Sequence, residues 1–310
     1  MPQPIYLDYN ATTPHDPEVI DAMRPFLETE FGNPSSSHVY GSMPQNAVVE
    51  SRKQVAALLN CSPDEITFTS GGTESNNHAV KGVADAYRDK GNHIITSRIE
   101  HPAILEVCGY LEKKGMEVTY LPVDGQGLVS VSALESAITA RTILITIMHA
   151  NNEVGTIQPM ADIARVAKAR GVLLHTDAAQ SVGKIPTTVD ALGVDLLSVA
   201  GHKVYAPKGV GALFIRDGIR LTGIMHGAGQ EAGRRPGTEN VLEIVGLGKA
   251  CEIAGRDMDR NMAHMQHMRD RLYAGIKRRC GHIQNTRAVS YTHLTLPTSA
   301  VACRSRWSPD

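Results

Sequence analysis

The chain is poor in cysteine and in aromatic residues, and its charges nearly cancel. Its 310 residues include five cysteines, one tryptophan and 5% aromatic residues, and the formal net charge is −1. The cysteines are scattered, odd in number and without a CxxC pair, which argues against a disulfide framework and against a thiolate zinc site. The near-neutral charge provides no basic field for nucleic acid. We therefore expect a protein of a reducing compartment with no metal site and no nucleic-acid partner.

Long apolar runs are also missing. The longest, TILITIM at 142–148, is far shorter than the roughly 20 apolar residues that a membrane-spanning helix needs. The start of the chain, MPQPIYLDYN, lacks the charged and apolar regions of a signal peptide. The sequence thus predicts a cytoplasmic protein without a membrane segment.

What the chain does contain is a regular alternation of strand and helix patterns. Amphipathic segments, three of them ending at glycine, predict helices at 74–91, 102–115, 130–140 and 160–171. Short runs rich in apolar and β-branched residues predict seven strands, at 65–70, 93–98, 117–123, 142–149, 172–177, 195–200 and 211–216. Mostly apolar strands separated by helices predict an α/β fold, with a mainly parallel seven-stranded sheet flanked by helices. Because no helix separates the last two strands, we expect an antiparallel edge there.

In such a sheet, ligands bind at the carboxyl ends of the strands. Polar turns rich in small residues follow five of the predicted strands directly, and packing alone does not require so many. Their sequences are SGGTESNN, RIEHP, HANNEVG, HTDAAQS and AGHK. These turns are the candidate site.

The turn SGGTESNN (70–77) leads from a strand into a helix. Its glycines let backbone N–H groups approach a ligand, and a helix N-terminus favours an anion, so the turn is typical of a phosphate cradle. An ordinary helix start, with Thr73 as the N-cap and Glu74 in the first turn, explains the same residues. On these residues alone, the ordinary helix start is the simpler interpretation.

Asp177 and Lys203 lie at the ends of two later strands. A carboxylate at the end of an apolar strand is costly unless paired, so Asp177 can face a protonated ring nitrogen, or equally serve as an N-cap or in an ion pair. A partly desolvated lysine has a lowered pKa and can form a Schiff base, whereas a surface lysine is the ordinary alternative for Lys203. A phosphate cradle, an acid and a lysine at strand ends are together the set that pyridoxal 5′-phosphate requires.

Through these residues the chain resembles the cysteine desulfurase family of the type that serves iron–sulfur assembly. That family belongs to the fold-type I pyridoxal-phosphate enzymes of aminotransferase class V. The resemblance covers roughly residues 5–285, and its motifs are specific in combination rather than singly. The matching stretches are YLDYNATTP (6–14), FGNPSSSHVYG (31–41), SGGTESNN (70–77), EHPAIL (100–105), MHANNEVGTIQP (148–159), HTDAAQSVGK (175–184), GHKVYAPKGVGAL (201–213) and GAGQEAGRRPGTENV (227–241).

The resemblance implies a role for each matching site residue. Lys203 would form the Schiff base with the cofactor and then transfer protons, while His101 would stack on the cofactor ring and assist proton transfer. Without the resemblance, a helix-capping or core histidine explains His101. Asp177 would bind the protonated ring nitrogen. The other contacts would come from Gly72, Thr73 and His202 at the phosphate, from Gln180 and Asn152 at the ring hydroxyl and substrate, and from Thr238 at the phosphate of a neighbouring subunit.

The same resemblance implies the reaction and the partners. The substrate would be L-cysteine, and the products L-alanine and an enzyme-bound persulfide for iron–sulfur cluster assembly. The protein would be a homodimer that hands its sulfur to an iron–sulfur scaffold or another acceptor protein. Residues 1–14 would belong to the small domain and 15–257 would form the large cofactor-binding domain. Residues 258–287 would begin an incomplete small α+β domain, followed by a non-family tail at 288–310.

Two departures from the family pattern lead to further expectations. Ala200 stands where the family usually has a serine that binds the phosphate, so we expect weaker cofactor retention. The loop that carries the persulfide-forming cysteine finds no match, and Cys303 lies outside its motif, so we expect impaired desulfuration. Two alternatives therefore stay open. One is another class V enzyme, such as an aminotransferase or a selenocysteine lyase, and the other is a non-catalytic fragment that binds the cofactor and dimerises.

Overall fold

A computed structural model describes residues 5–280. All seven predicted strands form, close to the expected bounds. They are β1 (Ile66–Thr69), β2 (His93–Ser97), β3 (Glu117–Leu121), β4 (Thr142–Thr146), β5 (Leu173–Asp177), β6 (Leu196–Ala200) and β7 (Gly211–Ile215). The predicted tail at 288–310, with Cys303, lies outside the described residues.

The strands form one mixed sheet in the order β1-β7-β6-β5-β4-β2-β3. The pairs among β2, β3, β4, β5 and β6 are parallel, whereas β7 is antiparallel to both β6 and β1. The antiparallel pairing of the last two strands is thus confirmed, but its expected position at the edge is wrong. β1 occupies that edge, because β7 inserts between it and β6. Since β1 therefore runs in the direction of β6, six strands end at the same side of the sheet.

The four predicted helices form together with four others. The predicted ones are α3 (Gly72–Ala86), α4 (Pro102–Glu112), α5 (Val131–Ala137) and α6 (Met160–Arg170); the others are α1 (Pro17–Glu28), α2 (Val39–Leu59), α7 (Val189–Leu192) and α8 (Val241–Cys280). The start of α1 follows from its sequence, because Asp16 accepts a hydrogen bond from the Glu18 N–H and a proline occupies the first turn.

The helices cover both faces of the sheet. Alternate residues of each central strand belong to two separate apolar clusters: Leu197 and Phe214 pack in one, and Leu196 and Leu213 in the other. The first cluster also takes in side chains of α1, α2, α6 and α8, and the second those of α3 and α4. Strands buried on both faces explain the near-continuous apolar runs in the sequence.

The last helix, α8, is 40 residues long and packs along α1 and α2. Gly248 permits this close approach, because a Cβ at that position would lie 2.6 Å from the Cα of Ser51. The domain boundary predicted after residue 257 falls inside α8, and the division into domains stays a prediction. Within residues 5–280, no helix combines the length and apolarity needed to cross a bilayer.

Candidate active site

Lys203 lies in a single 3₁₀ turn, Gly201–Lys203, that follows β6 directly. The turn can fold tightly because residue 201 is glycine: a Cβ there would lie 2.9 Å from the carbonyl oxygen of Val210. The Nζ of Lys203 donates hydrogen bonds to the carbonyl oxygens of Asn10 and Ala11. Burial lowers the pKa of Lys203, although Asp177 acts in the opposite direction. A larger share of neutral amine follows, as a nucleophilic lysine requires.

Asp177 ends β5 and is 5% exposed. One carboxylate oxygen, Oδ2, accepts a hydrogen bond of 2.7 Å from the Nδ2 of Asn76 on α3, and Oδ1 accepts one of 3.0 Å from the Ala179 N–H. Both hydrogen-bond donors are neutral groups, so they hold the buried carboxylate of Asp177 in position but do not neutralise its negative charge. The Oδ1 of Asn76 is itself buried without a hydrogen-bond partner among the described residues.

The N-terminus of α3 forms the cradle that the sequence suggested, but with a different cap. The N-cap is Gly71, at φ 147°, and its helix has no side-chain cap. The interpretation of Thr73 as N-cap is therefore wrong: the freedom of glycine at positive φ starts the helix at Gly72. A Cβ on Gly71 would meet no atom within 4 Å, and one on Gly72 would lie 3.2 Å from the Cβ of Ala200. Open space thus adjoins first-turn N–H groups that lack intrahelical partners.

Two histidines flank this cradle. His101 is the N-cap of α4, and its Nδ1 accepts a 3.1 Å hydrogen bond from the Ala103 N–H, which confirms the helix-capping interpretation. The cap leaves the Nε2 of His101 available for proton transfer, so both interpretations are compatible. His101 and Thr73 line one cavity of about 410 Å³. The carbonyl oxygen of His202 accepts a 2.9 Å hydrogen bond from the Thr13 N–H, and burial and nearby Lys203 lower the pKa of its ring.

Asn10 connects three of the predicted site residues. Its carbonyl oxygen accepts hydrogen bonds from Lys203 and, at 3.1 Å, from the Nε2 of Gln180. Its side-chain Nδ2 donates a 3.2 Å hydrogen bond to the carbonyl oxygen of Asn152. Asn10 has no role among those that the family resemblance implies, although it lies in the matching stretch YLDYNATTP. Only the chain path, which lays the N-terminal segment over the ends of β5 and β6, reveals its position.

Glu100 was missed for a similar reason. It directly precedes His101, and it is buried between the ends of β2 and β4. Its Oε1 accepts a 2.6 Å hydrogen bond from the Ser97 hydroxyl, and both oxygens accept from the Met148 N–H at 3.0 Å. Burial raises the pKa of Glu100 to about 8. The carboxyl group therefore ties the loop that carries His101 to the end of β4.

Thr238 stands apart from the other predicted residues. It is exposed, in the segment that precedes α8, and the hydrogen bonds described above do not include it. Its segment does approach the cradle, because Arg235 forms a 3.0 Å ion pair with Glu74 in the first turn of α3. Its contact with a neighbouring subunit stays a prediction.

Pyridoxal phosphate fits the groups brought together here. Its phosphate suits the uncapped N-terminus of α3 and a positive cluster, since Lys203, Lys208 and Lys184 all depress the pKa of the His202 ring. Its ring nitrogen suits a buried carboxylate, and Asp177 is the one at the site. Its aldehyde suits a lysine with a lowered pKa. Each chemical part of the cofactor thus has a complementary group at one edge of the sheet.

Neither the thiols of Cys61, Cys108 and Cys251 nor a metal cluster among residues 5–280 competes for this assignment. Burial raises the pKa of the Cys61, Cys108 and Cys251 thiols to about 12, which leaves them inert as thiolates. Between residues 5 and 280, no group of three or more His, Cys, Asp or Glu side chains could hold a metal ion.

Comparisons with known proteins agree with this geometry. The family model described as "Aminotransferase class-V" matches residues 5–296. The chain is 52% identical over 279 residues to "Cysteine desulfurase IscS" of Dictyoglomus turgidum, a match that covers 90% of this chain and 71% of that protein. It is 50% identical over 282 residues to "Cysteine desulfurase IscS" of Salmonella arizonae, covering 89% of this chain and 70% of that protein.

Solved structures give the same result. A "NIFS-LIKE PROTEIN" superposes with a TM-score of 0.87 at 43% identity, covering 89% of this chain and 76% of the other. The residues that the family model matches include α3, Asp177 and Lys203. Fold-type I pyridoxal-phosphate enzymes of this kind are α/β proteins with the mixed seven-stranded sheet described above. The chain belongs to the class V aminotransferase family, among its pyridoxal-phosphate-dependent cysteine desulfurases.

Proposed function

We propose that this chain acts on L-cysteine, releasing L-alanine and passing the sulfur to a thiolate as a persulfide for iron–sulfur cluster assembly. The observation that carries the proposal is Lys203, whose pKa is lowered by burial and which is close enough to the buried Asp177 to interact with its charge. The uncapped start of α3 lies at the same edge of the sheet. The names of the relatives support L-cysteine as the substrate. One similar solved structure is described as "SspA in complex with cysteine". It is 46% identical to this chain with a TM-score of 0.78, and the match covers 80% of this chain and 72% of that one.

When bound, pyridoxal phosphate supplies an electron sink for the carbon next to the substrate amine. The chain supplies the rest. Asp177 would hold the ring nitrogen and keep it protonated, and Lys203 would hold the aldehyde carbon of the cofactor and, as a free amine, move protons at the substrate. The Nε2 of His101, on the rim of the cavity that it shares with Thr73, would move a proton at the substrate.

The sulfur step needs a thiolate. It attacks the substrate sulfur, a sulfur–sulfur bond forms, the carbon–sulfur bond breaks, and protonation of the carbon gives alanine. Cys61, Cys108 and Cys251 do not provide this thiolate at neutral pH, because burial raises the pKa of each thiol to about 12. We therefore assign the acceptor thiolate to a cysteine other than Cys61, Cys108 and Cys251.

A homodimer in the cytoplasm completes the proposal. Large apolar side chains are strongly exposed at Phe31, Val39, Tyr40 and Met43, on the segment leading into α2 and its first turn. Such a patch on a chain of this size is typical of a protein–protein interface. In such a dimer, Thr238 of one protomer would contact the cofactor phosphate of the other, as the family resemblance implies. An iron–sulfur scaffold or other sulfur-acceptor protein would be a further partner, and the unpaired cysteines agree with a reducing compartment.

The test is product formation from L-cysteine by the purified protein supplied with pyridoxal phosphate and a thiol reductant. Alanine and sulfide should appear in equal amounts, and Lys203→Ala should abolish both while the apoprotein of the variant still unfolds cooperatively. The wild type should also show the visible absorption of a lysine-bound cofactor, which Lys203→Ala lacks.

Other outcomes would replace the proposal. Turnover with selenocysteine alone would indicate a selenocysteine lyase, and exchange of an amino group with a keto acid an aminotransferase. Cofactor absorption without any turnover would leave a non-catalytic, dimerising protein.

A further inference from the structure

One buried lysine has no role in the site as described so far. Lys184, in the turn that follows β5, is 8% exposed. Burial and the nearby Lys203 lower the pKa of Lys184 to about 7. Its ammonium forms no ion pair with any carboxylate that the structure describes. Burying an ammonium without a counter-charge costs folding free energy. Stability therefore does not account for a lysine at this position.

The hydrogen bond that Lys184 does form reaches the cofactor site. Its Nζ donates to the Oε1 of Gln180 at 2.7 Å. In its protonated form Lys184 can only donate, so at a pH below its pKa this contact fixes which end of the Gln180 amide faces Lys184. The Nε2 must then point the other way, where it donates to the carbonyl oxygen of Asn10 at 3.1 Å. The amide nitrogen carries a second hydrogen, which is left for a ligand.

We propose that Lys184 is a positioning residue of the cofactor site, which holds the Gln180 amide with its nitrogen towards the ring hydroxyl of pyridoxal phosphate. The inference rests on the cofactor placement proposed above, and not on the identity of the substrate. A deprotonated ring hydroxyl accepts hydrogen bonds, and the fixed amide offers it a donor. Without Lys184 the amide is free to rotate, and its oxygen can turn to face that acceptor instead.

The surroundings of Lys184 supply a matched control. Lys184 also lines a cavity of about 290 Å³, to which Asp16, Tyr205 and Asp257 contribute charged or titratable groups. Lys208 acts on the same ring of His202 as Lys184 does, but it is exposed. Lys208→Met therefore removes a positive charge near the phosphate without touching the Gln180 amide.

A double-mutant cycle tests the inference. The apoprotein and its variants Lys184→Met, Gln180→Ala and the double variant are titrated with pyridoxal phosphate by equilibrium dialysis. Lys184→Met should weaken binding about 3- to 10-fold, the size of one ordinary hydrogen bond. In the Gln180→Ala background the same substitution should change the Kd less than about twofold, because the amide that Lys184 positions is gone. Lys208→Met should weaken binding equally in both backgrounds.

The spectrum of the bound cofactor provides a second readout that a structural role would not move. Lys184→Met should shift the pH at which the visible absorption titrates, and Lys184→Arg, which keeps a donor, should restore part of the shift. Equal losses in both backgrounds, or an unchanged Kd in Lys184→Met, would overturn the inference. Failure of both Lys184→Met and Lys184→Leu to fold would also overturn it, by assigning Lys184 to stability. A wild type that binds no pyridoxal phosphate would refute the cofactor site itself.

Discussion

Replacing Ala200 by serine, which adds one hydroxyl oxygen, should raise the affinity of the chain for its cofactor. Ala200 ends β6, is 5% exposed, and its Cβ lies 3.2 Å from the position of a Cβ on Gly72. In Ala200→Ser the new hydroxyl would therefore stand beside the uncapped start of α3, where we place the phosphate. Space for it exists on the side of Gly71, whose Cβ would meet no atom within 4 Å.

The size of the effect follows from the charge of the phosphate. A hydrogen bond to a charged group contributes about 1.5 to 3 kcal/mol. Because about 1.4 kcal/mol is a factor of ten, Ala200→Ser should lower the Kd for pyridoxal phosphate about 10- to 150-fold. Ala200→Cys is the matched control, since a thiol is at least as large as a hydroxyl but only a weak donor.

Equilibrium dialysis of the three apoproteins measures this difference directly. The serine variant should also gain the larger increase in Tm when saturated with cofactor, because a ligand that binds the folded state stabilises it in proportion to its affinity. Equal affinities of Ala200 and its serine variant would refute the reasoning. An equal gain in the cysteine variant would show that filling the space, and not the hydrogen bond, is responsible.

Three further expectations concern stability. Burial raises the pKa of Glu100 from 4.5 to about 8, so its stabilising contribution is complete below the unfolded value and is lost as the pH rises through about 8. Thermal unfolding between about pH 5 and pH 9 should therefore increasingly favour Glu100→Gln over the wild type, and a difference independent of pH would contradict this. Glu231→Ala breaks an ion pair with Arg52, in which the side chains of Glu231 and Arg52 are 3% and 19% exposed. Urea unfolding should show that the free energy of unfolding falls by about 3 to 5 kcal/mol. A fall of less than about 1 kcal/mol would mean that the pair behaves as an exposed one. Gly201→Ala forces a Cβ to 2.9 Å from a carbonyl oxygen and should cost about 1 to 3 kcal/mol, whereas Gly109→Ala, in open space on α4, should be neutral or stabilising.

The sequence predicted most of the sheet because the periodicity of buried strands is a local property. Runs such as those at 142–149 and 195–200 are apolar throughout, and that pattern survives in β4 and β6 with every residue buried. The position of β7 between β1 and β6 could not be predicted in the same way, because the order of strands depends on pairing between segments that are far apart in sequence. Helices α2 and α8 were not predicted because tertiary packing, rather than a strong local signal, holds them in place. Helix α1 was not predicted although Asp16 and the proline in its first turn mark its start.

The residues of the site differ in the same way: some were predictable from local sequence and others only from the fold. Lys203, Asp177 and the start of α3 were predictable because each combines a characteristic residue type with a position at the end of a strand. Asn10 and Lys184 did not, because Asn10 acts through its backbone carbonyl and Lys184 through the amide of another side chain. Neither property has a signature in residue order alone. Glu100 is intermediate: a carboxylate beside His101 was visible, but only the fold shows that it is buried.

The bond from Lys203 to Asn10 joins residues that are 193 positions apart. We expect so long a loop to close only after the strands between the two residues have paired, because its entropy cost is not repaid until non-local contacts form. The lysine therefore reaches its final surroundings late in folding, although the segment that receives it leaves the ribosome first. Uptake of the cofactor, followed by its visible absorption, should then report completion of the fold rather than formation of the sheet.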